Sequence, residues 1–131
     1  MEEQIETILP FMHEEHFISN ETIITEGKTN DRIYFLIEGQ VSVSRKDVLL
    51  TRFCEGEEFG EVEVLDVMPA VASIKALTNV KTMTISNKAL REIYKTDLKI
   101  FSLIIMNLAR DLSRRLRKMD EKIEPSVPIF F

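Results

Sequence analysis

Phe59-Gly60-Glu61-Val62-Glu63-Val64-Leu65-Asp66-Val67-Met68-Pro69-Ala70-Val71-Ala72-Ser73 is the stretch from which the rest of the chain can be read. A glycine frees the backbone, a short apolar run follows, and a proline blocks any long helix. The stretch closes on a hydroxyl residue at the head of a β-like run. A turn, a short helix and a strand start in this order expose several N–H groups in one concavity, which suits an anion. The side chains argue against that. Glu55 through Asp66 holds six acidic residues and no basic one.

Short β runs lie on both sides. Upstream, Ile23-Ile24 precedes the dense turn signal Gly27-Lys28-Thr29-Asn30-Asp31. Arg32 to Lys46 carries alternating Ile33, Phe35 and Ile37, then Val41 and Val43 beyond Gly39-Gln40. That joint reads as a tight hairpin or a bulged corner. Val48 to Phe53 follows a turn at Asp47, and Glu55-Gly56-Glu57-Glu58 interrupts the pattern. Downstream, Ile74 to Leu77 and Val80 to Ile85 flank a turn at Asn79. Strands this short, with turns between them, predict a sandwich or barrel. A parallel α/β sheet is disfavoured because no long helical pattern separates the strands.

Helical periodicity brackets this β body. Ile5, Ile8, Leu9 and Met12 share one face of an expected N-terminal helix that Pro10 kinks or divides. Ser86 or Asn87 caps a helix containing Leu90, Ile93 and Tyr94, and Asp97 caps a longer one ending before Pro125. Leu98, Ile105, Leu112 and Met119 recur every seven residues, with Ala109, Leu116 and Ile123 on the companion position. Phe101, Ile104 and Leu108 are free to pack on the β body. The helix is expected to dock by its first half and to form a homodimer through Leu98–Ile123. Arg110, Arg114, Arg115, Arg117 and Lys118 make it basic, most simply as a solvated face. The apolar tail Val127, Ile129, Phe130 and Phe131 suits a groove on this chain or on a partner. The expected organisation is one domain over 1–131, with an N-terminal helix at about 4–16, a β-roll at about 21–85 and C-terminal helices at about 87–123.

Composition narrows the function. The chain has 131 residues, 44% hydrophobic and 30% charged, enough for a true core without staples. Its formal charge of -5 argues against general nucleic-acid binding. One cysteine, Cys54, cannot form an intrachain disulfide and reads as inert. No leader and no membrane span are apparent, so a cytoplasmic location without membrane contact is expected. His13-Glu14-Glu15-His16 is one residue short of the zinc helix motif His-Glu-x-x-His, and no nucleophile has a base beside it. Neither an enzyme nor a metal site is expected.

Three stretches carry a family resemblance: Gly27 with Asn30-Asp31, the run Ile33 to Val43, and Gly56-Glu57-Glu58-Phe59-Gly60-Glu61. In order and spacing they resemble the cyclic-nucleotide-binding domain of catabolite-activator-type regulators, kinase regulatory subunits and gated ion channels. The resemblance spans about residues 8–120. It implies a mainly β fold with flanking helices, a double-stranded β-helix or jelly-roll-like cyclic-nucleotide-binding fold with a long C-terminal helix. The family's phosphate-binding cassette reads approximately Phe-Gly-Glu, two or more apolar residues, then Pro-Arg-Ala-Ala-Thr/Ser. Gly60 falls on the glycine whose amide approaches the ligand, and Glu61 on the acid that accepts from the ribose 2′-hydroxyl. Pro69 and Ser73 match as well. Ala70 falls on the arginine.

The expected binding set is therefore Gly60, Glu61, Val62, Ala70, Val71 and Ser73, with cAMP or cGMP as the implied ligand. The departure at Ala70 removes the charged fork that would pair with a phosphate. Losing such a buried pair costs about 2–5 kcal/mol. Lys75, two residues after Ser73, could replace the charge only if the strand register turned it inward. The leading expectation is a stand-alone sensor that binds a cyclic nucleotide weakly and signals through its dimer helix. The alternative is a degenerate domain that binds a protein partner instead. Direct DNA reading is the weaker expectation, since the family's DNA-binding members append a helix-turn-helix beyond the long helix.

Overall fold

The computed structural model describes residues 9–107 and Arg110. Eight antiparallel strands form two four-stranded sheets. They are β1 (Met12–Phe17), β2 (Thr22–Ile24), β3 (Arg32–Glu38), β4 (Val41–Arg45), β5 (Val48–Phe53), β6 (Glu58–Phe59), β7 (Ser73–Ala76) and β8 (Val80–Ser86). One sheet has the order β1-β8-β3-β6 and the other β2-β7-β4-β5. Helix α1 (Glu61–Asp66) lies in the focal stretch, and α2 (Asn87–Thr96) follows β8. A third helix, α3, occupies 98–107. The mainly β, jelly-roll-like class with C-terminal helices is therefore the observed one.

Two hydrophobic clusters hold the elements together. Ile24, Tyr34, Leu36, Val41, Ile74 and Ala76 are among those filling the space between the sheets. Ile33 and Ile85, on the opposite face of the first sheet, meet Val64, Leu90, Ile93 and Ile100 of the helices. Strand β3 serves both clusters, Tyr34 and Leu36 on one side and Ile33 and Phe35 on the other. Its last apolar residue, Ile37, is exposed.

The N-terminal helix expected over 4–16 is corrected at its C-terminal half. Leu9–Phe11 is a single 3₁₀ turn and Met12–Phe17 is strand β1, paired with β8 from Met12↔Ile85 to Phe17↔Val80. Helical spacing runs out at Met12, and Pro10 blocks its propagation. The β8 edge then supplies hydrogen-bond partners that a frayed helix end lacks. Met12 packs on the helical cluster and Phe17 on the inter-sheet cluster. Ile5 and Ile8 lie outside the described residues.

Gly39-Gln40 is a corner. Strands β3 and β4 belong to different sheets, and a register shift between Leu36 and Glu38 bends β3 just before the joint. A Cβ at Gly39 would lie 2.4 Å from the Asn79 carbonyl oxygen, so glycine is required there. The true two-residue hairpin is Lys46-Asp47, with φ of 51° and 65°, the left-handed pair of a type I′ turn.

The C-terminal capping follows the expectation. Ser86 Oγ accepts from the Ala89 amide at 3.0 Å, and Asp97 Oδ1 from the Ile100 amide at 3.1 Å. Phe101 and Ile104 pack on the helical cluster. So does Ile105, which the heptad reading assigned to the dimer seam. The apolar residues of α3 that face outward are Leu98, Leu103 and Met106. Leu108, Ala109, Leu112, Leu116, Met119 and Ile123 lie outside the described residues, as does the tail from Pro125.

Candidate functional site

The cassette begins where β6 pairs with β3 at Tyr34↔Phe59 and Phe35↔Glu58. The Phe59 ring stacks on Tyr34 with centroids 4.9 Å apart. This two-residue strand falls inside the acidic stretch that the sequence shows only as an interruption. Gly60 then turns the chain with φ of 86°. A Cβ there would lie 2.6 Å from the Arg32 carbonyl oxygen and 2.7 Å from Asn30 Nδ2. Close packing against β3 and its preceding turn is thus enough to require glycine, with no ligand invoked.

Helix α1 is inverted. Glu61 is 2% exposed, Glu63 is 9% exposed and Val64 is buried. Val62 and Leu65 are 44% and 45% exposed. A free amphipathic helix would turn the opposite way. Burial pushes the Glu63 carboxyl above its ordinary value; its own backbone N–H opposes this, the adjacent Glu61 charge adds to it, and the polar Asn30 side chain offsets it in part. The helix stops at Val67, a β-branched residue in the left-handed region (φ 53°, ψ 48°) whose N–H donates to the Glu63 carbonyl.

The turn between β2 and β3 clasps both ends of the cassette. Asn30 Nδ2 donates to the carbonyls of Gly60 at 3.1 Å and Arg32 at 2.9 Å, and its Oδ1 accepts from the Arg32 amide. At the far end the Gly27 amide donates to the Ala70 carbonyl (2.8 Å) and the Ala70 amide to the Lys28 carbonyl (2.9 Å). Ala70 is 3% exposed, its methyl group within the inter-sheet cluster. Ser73 Oγ accepts from the Glu26 amide at 2.9 Å.

The expected binding residues therefore separate. Gly60, Glu61 and Ala70 are buried, Val62 and Val71 are exposed, and Ser73 is engaged by β2's following turn. Lys75 is not turned inward. Ile74 and Ala76 fill the inner positions of β7, and Lys75 is exposed on the other face. Arg32, the basic residue at the start of β3, binds Glu15 of β1. Asn30 and Glu63 were not singled out as site residues from the sequence. Glu63 did carry a signal, an acid where the family pattern has an apolar residue.

The comparisons follow this geometry. Residues 14–97 match the family model described as the cyclic nucleotide-binding domain. This chain belongs to that family, whose domain is a regulatory, non-catalytic module. It is 29% identical over 117 residues to the CRP-like cAMP-activated global transcriptional regulator of Mycobacterium tuberculosis, an alignment covering 86% of this chain and 52% of that protein. It is 27% identical over 121 residues to the cGMP-dependent protein kinase egl-4 of Caenorhabditis elegans, covering 92% of this chain and 14% of the kinase. The chain thus spans about half of one relative and a small part of the other. In three dimensions it is similar to a cyclic nucleotide-binding domain from Methylobacillus flagellatus, with a TM-score of 0.90 at 20% identity over 100% of this chain and 76% of that one. Thermus thermophilus catabolite activator protein gives 0.77 at 23% identity, over 93% and 58%.

Among the described residues, no group of three or more His, Cys, Asp or Glu side chains is placed to hold a metal ion. His16 Nε2 and Glu14 Oε2, 2.8 Å apart, form an exposed pair with Lys81 on the β1–β8 surface. No helix among the described residues is long and apolar enough to cross a membrane.

Proposed function

We propose that this chain is a regulatory domain that works through protein contacts and does not hold cAMP or cGMP in its family's manner. The observation that carries this reading is Ala70: its methyl group is buried in apolar surroundings where the cassette pattern has an arginine. Neither Lys75 nor Arg32 stands in for that charge. The outward apolar residues Val62, Leu65, Val67, Met68 and Val71 give the cassette a surface suited to protein contact. Leu98, Leu103 and Met106 extend an apolar surface along α3 and support self-association through that helix. Signalling in this scheme is a shift in the position of α2 and α3 relative to the cassette, coupled through Val64 in the helical cluster.

Calorimetric titration of the wild-type chain with cAMP and with cGMP tests the reading. The expected result is no saturation below the millimolar range, consistent with the loss of a buried charge pair. Micromolar binding of either nucleotide would overturn it and restore the weak-sensor alternative.

A further inference from the structure

We infer that the groove between α1, α2 and α3 is the seat of this chain's own residues 125–131. The inference does not depend on whether a nucleotide binds. The three helices meet around a cavity of about 320 Å³. Leu65 of α1, Leu90 and Tyr94 of α2, and Phe101 and Ile105 of α3 give it an apolar lining. The Tyr94 and Phe101 rings meet edge to face there, with centroids 5.1 Å apart. Leu65 and Tyr94 are exposed and Phe101 and Ile105 only half-buried, so the rest of the described chain does not close this lining.

Pattern, reach and charge select the occupant. Val127, Ile129 and Phe131 alternate, so an extended backbone would turn all three to one side. Pro125 and Pro128 disfavour a helix and bias the residue before each towards extended backbone. Continuing the helical pattern of the sequence from Ile105 to Ile123 advances about 27 Å. Residues 124–131, extended and folded back, span about 26 Å, which brings Phe131 level with Ile105. The sequence is mostly basic from Arg110 to Lys118, then turns acidic at Asp120, Glu121 and Glu124, just before the apolar segment. Lys88, Arg91 and Lys95, three and four apart on α2, make a basic strip, and Arg91 lines the groove. Among the described residues none of the three has an ion-pair partner. Seated there, the segment would bridge the cassette helix to α2 and α3 and hold their joint in one position. Its release would let α1 move against α2, which makes it an internal brake on the cassette.

Paramagnetic NMR on the 131-residue chain is the test. The exposed Cys54 is replaced by serine, and a nitroxide is attached through Ser126→Cys, beside the apolar segment. The amides of Leu65, Tyr94 and Phe101 are expected to lose most of their intensity. Those of Val43 and Leu49, in the sheet remote from the helices, should keep theirs. Adding Ile129→Asp and Phe131→Asp should restore the groove signals. Unaffected groove amides, or broadening that survives the two aspartates, would overturn the inference. A mixture of nitroxide-bearing chain with isotope-labelled, nitroxide-free chain identifies whose segment is seated. Groove broadening in that mixture would assign the groove to a second copy and overturn the inference too.

If the nitroxide-bearing chain does not fold, amide shifts of wild type and Phe131→Asp decide the matter. Shifts that move at Leu65, Tyr94 and Phe101 support the seat, and changes confined to residues 125–131 exclude it. Micromolar cAMP binding by the wild type would overturn the reading above and leave this one in place.

Discussion

The inter-sheet core and helix α1 obey opposite rules within one small domain. Between the sheets, Leu36, Val41, Ile74 and Ala76 are buried as their chemistry dictates. In α1, two glutamates are buried and a valine and a leucine are exposed. The core is held by area removed from water, which is indifferent to direction. The helix is held by directed contacts at its ends: the Asn30 amide, the tight turn at Gly60 and the backbone pair between Ala70 and residues 27 and 28. Where end contacts fix an element, its polarity need not match its surroundings.

Four substitutions probe this contrast, and the largest effect is expected at the junction of the two regions. Gly60→Ala places a Cβ against the Arg32 carbonyl and Asn30 in a left-handed conformation. Chemical denaturation should register a loss of about 3 kcal/mol, combining overpacking with backbone strain. A loss below about 1 kcal/mol would mean that the turn relaxes and does not clamp α1.

Next come two valines on the same helix. Val64→Ala should cost about 2 kcal/mol because its side chain is buried in the helical cluster, whereas Val62→Ala should stay within about 0.5 kcal/mol. Equal costs would show that the helix rotates in solution and that the inversion does not persist.

The smallest effect is a pH slope. The Glu63 carboxyl titrates above its ordinary value when folded, so the native state retains a proton that the unfolded chain has already lost. Stability therefore falls as pH rises from the ordinary carboxylate range through that raised value. Glu63→Gln should remove this fall and be the more stable protein at pH 8, with no advantage at pH 4. Urea melts across that range provide the check, and parallel curves for the two chains would place Glu63 in water.

The sequence made the β body legible because period-two alternation and turn residues act locally. Ile33 to Val43 and Val80 to Ile85 declare themselves without tertiary help, and Ser86 and Asp97 announce their helices as caps. Strand β1 was hidden because Met12–Phe17 is strand only by pairing with β8, a partner far away in the chain. Two-residue β6 is too short for any period. The cassette's departure at Ala70 was readable as a missing charge. Its inward glutamates were not, since the turn that clasps Gly60 at the head of their helix reaches over from the end of β2. The same limit applies to Lys75, whose outward direction follows from Ile74 and Ala76 taking the inner positions.

Strand β3 has a consequence for how the domain comes apart. Its residues belong to both hydrophobic clusters, so neither the roll nor the helical layer has a boundary at which it could melt alone. The domain should therefore lose its sheets and its C-terminal helices in one transition. A sensor with two separable halves can dim gradually as it is destabilised. One with a shared strand is either whole or absent, and in a cell the load of damaging substitutions would be read out as abundance.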